Sequence, residues 1–262
     1  MCQLCLAIPT TNPVIRTVVV ALIIVLLLVG AASLGRLVRH SLAPNSITST
    51  MAVRSAVDGA TYRVHGDLTD PRGAADLLAE LNRWATKLVG SLRRRYLGLD
   101  GIPPTLPRSA RTRARVSCVR NLVARYNPDN FVENSYKGSS SESSYCVDKG
   151  AILAICLRSR VIASSKEMGT STRVPPGQFQ DLNTLFFVTL HELTHMTIED
   201  IDHPRRFWSA FRFILIEAEL APVNFISPRY AQNPVAYCGV VINYNPRYDR
   251  GVASIDSYPV GA

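Results

Sequence analysis

Two histidines four residues apart, with a glutamate between them, form the part of this sequence best suited to metal chemistry. They are His191 and His195, and Glu192 follows the first directly. On a helix, residues i and i+4 share a face, so both imidazoles can reach one Zn²⁺ at about 2.0–2.1 Å. Glu192 lies beside that face, where a carboxylate can act as general base on a metal-bound water. The spacing predicts a hydrolytic zinc site; the alternative is a chance match in which both histidines are ordinary hydrogen-bonded residues.

A third ligand decides the class of such a site, and His203 is the candidate that we favour. A helix continuing from His195 to His203 would separate the two by about 12 Å along its axis, too far for one ion. Pro204 predicts a break, because proline suits the first position of a new helix and would make His203 its N-cap. Glu217 and Glu219, on the following apolar helix, are rival ligands, and Glu217 is the better placed of the two.

Apolar residues at helical spacing indicate the elements that would carry and support this motif. Asp70 and Pro71 begin one amphipathic helix, which stops at Gly98. Residues 116–126 form a second helix, ending before an Asn-Pro pair. Asp181 can cap the strongly apolar helix that contains both histidines.

Between residues 131 and 160 the pattern changes to short apolar segments separated by turn residues, which indicates strands. Within them, residues 151–156 (AILAIC) are typical of a buried strand, and residues 161–180 read as a long loop. The elements predict an α+β domain over residues 62–262, in which the histidine-bearing helix packs on a small sheet.

An uncharged apolar run precedes this domain. Residues 17–34 contain no charged side chain and, as a helix, would be about 27 Å long, close to the hydrocarbon thickness of a bilayer. We therefore predict an N-terminal tail at 1–16, a transmembrane anchor at 17–35 and a linker or stalk at 36–61. A cleaved signal peptide is the alternative, because small residues follow the most apolar part.

The charges around this run bear on its orientation. Arg36, Arg39 and Arg54 follow it, whereas Arg16 alone precedes it. By the positive-inside rule, a single-pass membrane protein of this kind would have its C-terminal domain in the cytoplasm.

Basic residues are concentrated in the first half of the chain, where residues 1–126 hold 17 Lys and Arg against 6 Asp and Glu. A cluster at Arg108, Arg111, Arg113 and Arg115 is the candidate surface for nucleic acid or lipid headgroups. A solvated basic face is the alternative. With 47% hydrophobic and 19% charged residues, the composition excludes an intrinsically disordered chain.

The six cysteines do not by themselves indicate a disulfide framework. Cys2 and Cys5 form an isolated C-x-x-C pair that fits plain or lipidated thiols as well as a metal site. The other four are few and widely spaced for a domain of this size, so the sequence leaves their pairing open. They lie at positions 118, 146, 156 and 238.

Five longer segments, two of which contain the histidines, form a specific combination. They are "YNPDNFVENS" (126–135), "SYCVDKGAILAICLRS" (144–159), "DLNTLFFVTLHELTHM" (181–196), "DHPRRFWSAFRFILIEA" (202–218) and "YCGVVINYNP" (237–246). With them the chain resembles the WLM metallopeptidases, zinc proteases related to a yeast protease that degrades proteins crosslinked to DNA. The resemblance is greatest to an uncharacterised branch in large DNA viruses and covers about residues 70–246.

This resemblance implies a zincin-like domain with zinc on His191, His195 and His203 and with Glu192 as the base. The third histidine comes two residues later than in the yeast-type pattern. No methionine follows Met196, which argues against the Met-turn of metzincins.

The leading hypothesis is a membrane-anchored zinc metalloendopeptidase that acts on a protein substrate, in a host or virion membrane if the protein is viral. Tyr237 and Tyr244 are possible oxyanion donors, and ordinary strand aromatics are the alternative. Two other hypotheses are a non-catalytic zinc-binding structural protein of a membrane or virion, and a DNA-associated protease for protein–DNA crosslinks.

Overall fold

The computed structural model describes residues 50–134, 143–159 and 177–259. The predicted tail at 1–16 and anchor at 17–35, with most of the predicted linker, lie outside the described residues, as does most of the predicted loop at 161–180. Within the described ranges, no helix combines the length and apolarity needed to cross a bilayer.

A five-stranded mixed sheet forms one layer of the fold, and a separate two-stranded hairpin lies outside it. The spatial order of the sheet is β1-β2-β3-β5-β4; β2, β3 and β5 run parallel, and the edge strands β1 and β4 are antiparallel to their neighbours. The strands are β1 (Thr50–Arg54), β2 (Thr61–His65), β3 (Phe131–Glu133), β4 (Tyr145–Val147), β5 (Ile152–Ile155), β6 (Val235–Tyr237) and β7 (Val240–Ile242).

The first strand corrects the predicted linker at 36–61. All five residues of β1 pair with β2, from Thr50 opposite His65 to Arg54 opposite Thr61. The folded domain therefore includes residue 50 and does not begin at residue 62. β1 is a short edge strand whose side chains are mostly exposed, so it is defined by its pairing with β2 and not by a buried apolar face.

Four α-helices of the described residues accompany the sheet, and two of their predicted starts are confirmed. They are α1 (Pro71–Leu92), α2 (Arg113–Arg125), α3 (Leu182–Thr194) and α4 (Arg205–Leu220). The Asp70 side chain accepts a hydrogen bond from the amide of Gly73 at the start of α1, and Asp181 accepts one from Thr184 at the start of α3. A π-helical turn at Arg93–Leu97 extends α1 to Gly98, whose φ of 84° ends the helix as predicted.

Helix α3 is the central element of the core. It lies against β4 and β5 on one side and against α1 and α4 on others. Aromatic side chains join these helices: the ring centroids of Trp84 and Phe186 are 5.1 Å apart, and those of Phe187 and Phe211 are 5.2 Å apart. The mixed α+β class that the sequence predicts is thus confirmed, with the histidine-bearing helix packed on the sheet.

Candidate metal centre

The two motif histidines lie on one face at the end of α3. His191 and His195 are half-buried, whereas Glu192 between them is only 5% exposed. Thr189 and Thr194 are buried too, and their hydroxyls donate to the carbonyls four residues earlier, so their burial leaves no hydrogen-bonding group unsatisfied.

After α3 the chain turns sharply, as His203 requires if it is to return to the first two histidines. The helix ends in hydrogen bonds that span three residues instead of four, from the amide of Met196 to the carbonyl of Leu193 and from the amide of Thr197 to the carbonyl of Thr194. Asp202 then adopts a φ of 61°, the left-handed conformation that aspartate tolerates better than most residues. The break that Pro204 predicts is therefore present.

The new helix begins one position later than expected. Pro204 itself is the N-cap of α4, so His203 precedes the cap instead of forming it. The extended backbone of Pro204, with ψ at 172°, places the histidine outside the helix and directs the chain back toward α3.

Side chains from outside the motif hold the returning segment. Arg125, the last residue of α2, donates from Nη1 to the carbonyls of Met196 at 3.0 Å and Ile198 at 3.4 Å and also pairs with Glu199. Lys149 Nζ, from the turn between β4 and β5, donates to the Asp200 carbonyl at 2.6 Å. Sequence reasoning missed both residues, because nothing in their local pattern distinguishes them from solvated charges.

The bend brings the three imidazoles together. Nε2 of His191 lies 2.8 Å from Nε2 of His203, and one ligand atom from each of the three histidines lies within 4.8 Å of the others. Two nitrogens bound at about 2.1 Å to one tetrahedral ion would be about 3.4 Å apart. Small movements would therefore bring the three to coordination distance around one metal ion.

One buried phenyl ring lies against all three histidines. The Phe207 ring centroid is 4.8 Å from that of His191, 4.5 Å from that of His195 and 4.6 Å from that of His203. Trp208, the next residue, is 5.8 Å from His203 by the same measure. The sequence pair Phe-Trp, which lies in one of the segments that carry the family resemblance, is the signal for this packing.

The environment keeps the imidazoles neutral. Burial, followed by the neighbouring His203 and His195, lowers the pKa of His191 to about 3. Burial and His203 lower the pKa of His195 to about 4, and burial lowers that of His203. At neutral pH each ring therefore carries a free lone pair, the form in which histidine binds metals.

The rival third ligands have other partners. The Glu217 carboxylate pairs with Arg95 and accepts a hydrogen bond from the Tyr96 hydroxyl at 2.7 Å. Glu219 accepts from Arg247 Nε at 3.0 Å. Among the five candidate ligands, the structure joins the three histidines and leaves both glutamates out of the cluster.

The predicted oxyanion donors line a cavity beside the histidines, but their hydroxyls make other contacts. Tyr237 donates to the Cys156 carbonyl at 2.9 Å and lies 2.7 Å from Ser144 Oγ. Tyr244 donates to Asp249 at 2.8 Å. Either residue would have to break such a bond before it could donate to a substrate, so the geometry does not support their predicted role.

A disulfide that the sequence left open joins Cys156 to Cys238. It connects the residue after β5 to the turn of the β6–β7 hairpin, 82 positions later in the chain. Together with the Tyr237 hydroxyl, this bond fixes the hairpin beside the histidines. Cys118 and Cys146 are free thiols.

Two cavities meet at the histidine cluster. One, of about 360 Å³, is bordered by the β6–β7 hairpin, and the other, of about 570 Å³, by the β4–β5 turn and the returning segment. Both are lined by His191, Glu192 and His203. The cluster therefore lies within a cleft, with Glu192 in the wall of both cavities.

In the predicted basic cluster, two of the four arginine side chains make contacts within the domain. Arg111 donates to the Leu106 carbonyl, and Arg115 pairs with Asp256 at 2.7 Å. The side chains of Arg108 and Arg113 are exposed and make no hydrogen bond or ion pair to any described residue. Two of the four arginines thus have structural contacts that the sequence did not indicate.

Part of the chain is similar to a protein of known source. Over 102 residues, 38% of this chain, it is 36% identical to an uncharacterised protein, R325, of Acanthamoeba polyphaga mimivirus. The matched region covers 44% of that relative, so the chain spans less than half of its length. No family model matches the sequence, and no solved structure matches it.

Proposed function

We propose that this protein is a zinc-dependent metallopeptidase that hydrolyses peptide bonds, with His191, His195 and His203 as zinc ligands and Glu192 as general base. The observation that carries the proposal is the convergence of three neutral imidazoles, beside a carboxylate, at the junction of two cavities. Three protein ligands with an open fourth position are typical of catalytic zinc, whereas structural zinc sites are closed by four.

The donor set suits zinc chemistry. When bound there, zinc would lower the pKa of a coordinated water to about 7 and polarise a substrate carbonyl. Glu192 accepts the proton of the attacking water and returns it to the leaving amine, which completes hydrolysis without a covalent enzyme intermediate. Phe207 and the Arg125 contacts maintain the positions of the ligands during this cycle.

The proposal extends to the family of the domain, its membrane attachment and its substrate. The quoted motifs favour a zincin-like domain of the WLM type, and the mimivirus relative is compatible with the branch in large DNA viruses. Residues 17–35 would anchor the protein in a membrane as a single-pass protein, in the host or the virion if it is viral. Its substrate would be a protein segment that enters the cleft in an extended conformation.

The test uses the full-length chain as wild type and as the variants Glu192→Gln, His203→Ala and Glu219→Gln. Bound zinc and the rate of cleavage of an unfolded protein are measured for each. We expect one zinc ion and cleavage in wild type, zinc without cleavage in Glu192→Gln, and loss of both in His203→Ala. Glu219→Gln is the matched control, because its carboxylate lies outside the cluster.

Other outcomes would favour other functions. One equivalent of zinc without cleavage in wild type would overturn the enzyme proposal and favour a non-catalytic zinc-binding structural protein. Full zinc retention in His203→Ala would overturn the ligand assignment. Cleavage that requires DNA and weakens steeply with salt would favour a protease of protein–DNA crosslinks.

A further inference from the structure

We propose that the cavity between α3, α4 and the β6–β7 hairpin binds one bulky apolar side chain of the substrate, directly beside the bond that is cleaved. The inference rests on the proposed peptidase function and specifies which peptide bonds it would select. The cavity holds about 360 Å³ and includes His191, Glu192 and His203 in its wall, so an occupant would lie next to the reacting groups.

The remaining walls of this cavity are mostly apolar, with Ser143, Ser144 and Asn243 as their polar residues. Its helical side is formed by Val188, Trp208 and Phe211. Its hairpin side is formed by Val241, Ile242 and Tyr244. Burying a large apolar side chain among such groups is favourable, whereas an ammonium group would lose its hydration there, and the acidic residue in the wall, Glu192, is the one that the proposed chemistry uses as base.

The hairpin exposes apolar side chains at this wall. Val240 is 42% exposed, Val241 39% and Tyr244 38%, although all three are large apolar or aromatic residues. Single exposed apolar residues are ordinary on a protein surface, but a contiguous group at the rim of a cavity marks a binding surface. An apolar substrate side chain would cover them.

The cavity on the other side of the histidines has a different character. It is lined by Asp148, Lys149, Asp200 and Asp202, with Ile201 as its large aliphatic side chain. An apolar side chain gains little from charged walls of this kind. Selection for a bulky apolar residue should therefore operate on one side of the scissile bond and not on the other.

The apolar cavity is held open by covalent and polar contacts. The Cys156–Cys238 bond and the hydrogen bond from Tyr237 to the Cys156 carbonyl join the hairpin to the end of β5. Because a preformed cavity has no entropic cost of ordering on binding, more of the free energy of the side-chain contacts contributes to the preference for one substrate over another. Its volume is near the lower end of the range of about 300–1,000 Å³ for ligand pockets, which suits one side chain.

The test measures kcat/KM of the full-length, zinc-loaded protein on two series of peptides. In each series, the residue on one side of the scissile bond is Phe, Leu, Ala or Lys, and the rest of the peptide is constant. We expect Phe and Leu to exceed Ala and Lys by about tenfold or more on one side only. Val241→Trp, which fills the cavity, should remove this preference and favour Ala.

Two further variants complete the design. Leu220→Trp adds the same side chain at an exposed residue outside both cavities and should keep the wild-type preference. Val240→Lys, at the exposed rim, gives a second measurement if Val241→Trp does not fold, and it should lower kcat/KM for Phe peptides about tenfold. Zinc content and circular dichroism confirm that each variant is folded.

The outcomes distinguish this inference from the function on which it rests. Equal cleavage of the Phe, Ala and Lys peptides, or an unchanged profile in both Val241→Trp and Val240→Lys, would overturn the inference and leave the peptidase proposal intact. If the zinc-loaded wild type cleaved no peptide of either series, both would be overturned.

Discussion

At the scale of single residues, the site depends on how Asp202 and Phe207 determine the position of His203. His203 is exposed and belongs to no helix or strand, so its position depends on the residues around it. Asp202 turns the backbone through a positive φ of 61°, and the Phe207 ring packs against the imidazole, with the two ring centroids 4.6 Å apart. If His203 binds a metal ion, the precision of its position depends on the backbone of Asp202 and on the packing of Phe207.

A matched pair of variants tests the backbone contribution. Asn tolerates the left-handed conformation and Val does not, so Asp202→Val should weaken zinc binding while Asp202→Asn retains it. The strain at such a position costs about 1–3 kcal/mol, which corresponds to roughly a 5- to 150-fold loss of zinc affinity. Competition with a chromogenic chelator measures the affinity, and equal affinities in the two variants would contradict this role of the bend.

At the scale of elements, the cleft is assembled from parts that are distant in the chain. Helix α2 contributes Arg125 to the carbonyls after α3, the β4–β5 turn contributes Lys149, and the β6–β7 hairpin forms the opposite wall. The hairpin is not part of the main sheet, so its position depends on its few attachments. The Cys156–Cys238 disulfide is the covalent one.

Breaking that disulfide should loosen the hairpin and destabilise the domain. Cys238→Ser is expected to lower the free energy of unfolding by about 2–4 kcal/mol, since the bond closes a long loop, and to speed amide hydrogen exchange in β6 and β7. Chemical denaturation and exchange mass spectrometry measure the two effects. A Cys156→Ser/Cys238→Ser double variant should not respond further to dithiothreitol; unchanged stability and exchange in Cys238→Ser would show that the hairpin does not need the bond.

The sequence allowed those elements to be predicted whose determinants are local. Asp70 and Asp181 cap helices through hydrogen bonds to amides three residues later, and Pro204 directly precedes the helix whose start it predicts. By contrast, β1 is defined by its pairing with β2, and the roles of Arg125 and Cys156 depend on partners many tens of residues away. Such long-range contacts leave no periodic pattern in one sequence, so they became visible only in three dimensions.

At the scale of the whole molecule, metal binding and folding should be linked. The three histidines come from the end of α3 and from the bend before α4, so the cluster exists only when the two helices are packed together. A ligand that binds only the native state raises its stability in proportion to the logarithm of its concentration.

Zinc should therefore raise the melting temperature, and a chelator should reverse the effect. At free zinc about 1,000 times the Kd, the gain is about 4 kcal/mol, which corresponds to roughly 8–16 °C for a domain of about 200 residues. Differential scanning calorimetry measures it, with His203→Ala as the variant that should respond weakly. A wild type indifferent to zinc, or a His203→Ala variant with the same gain, would contradict the linkage.

The Cys156–Cys238 bond also bears on where the domain would work. Disulfides persist in oxidising compartments such as the secretory lumen or the cell exterior, whereas glutathione keeps cytosolic thiols reduced. If residues 17–35 span a membrane as proposed, the arginines after residue 35 predict a cytoplasmic domain, whereas the bond favours an oxidising compartment. In a reducing compartment the hairpin would lose this covalent attachment, so the apolar selectivity that we propose for the cavity should depend on the redox state of the compartment.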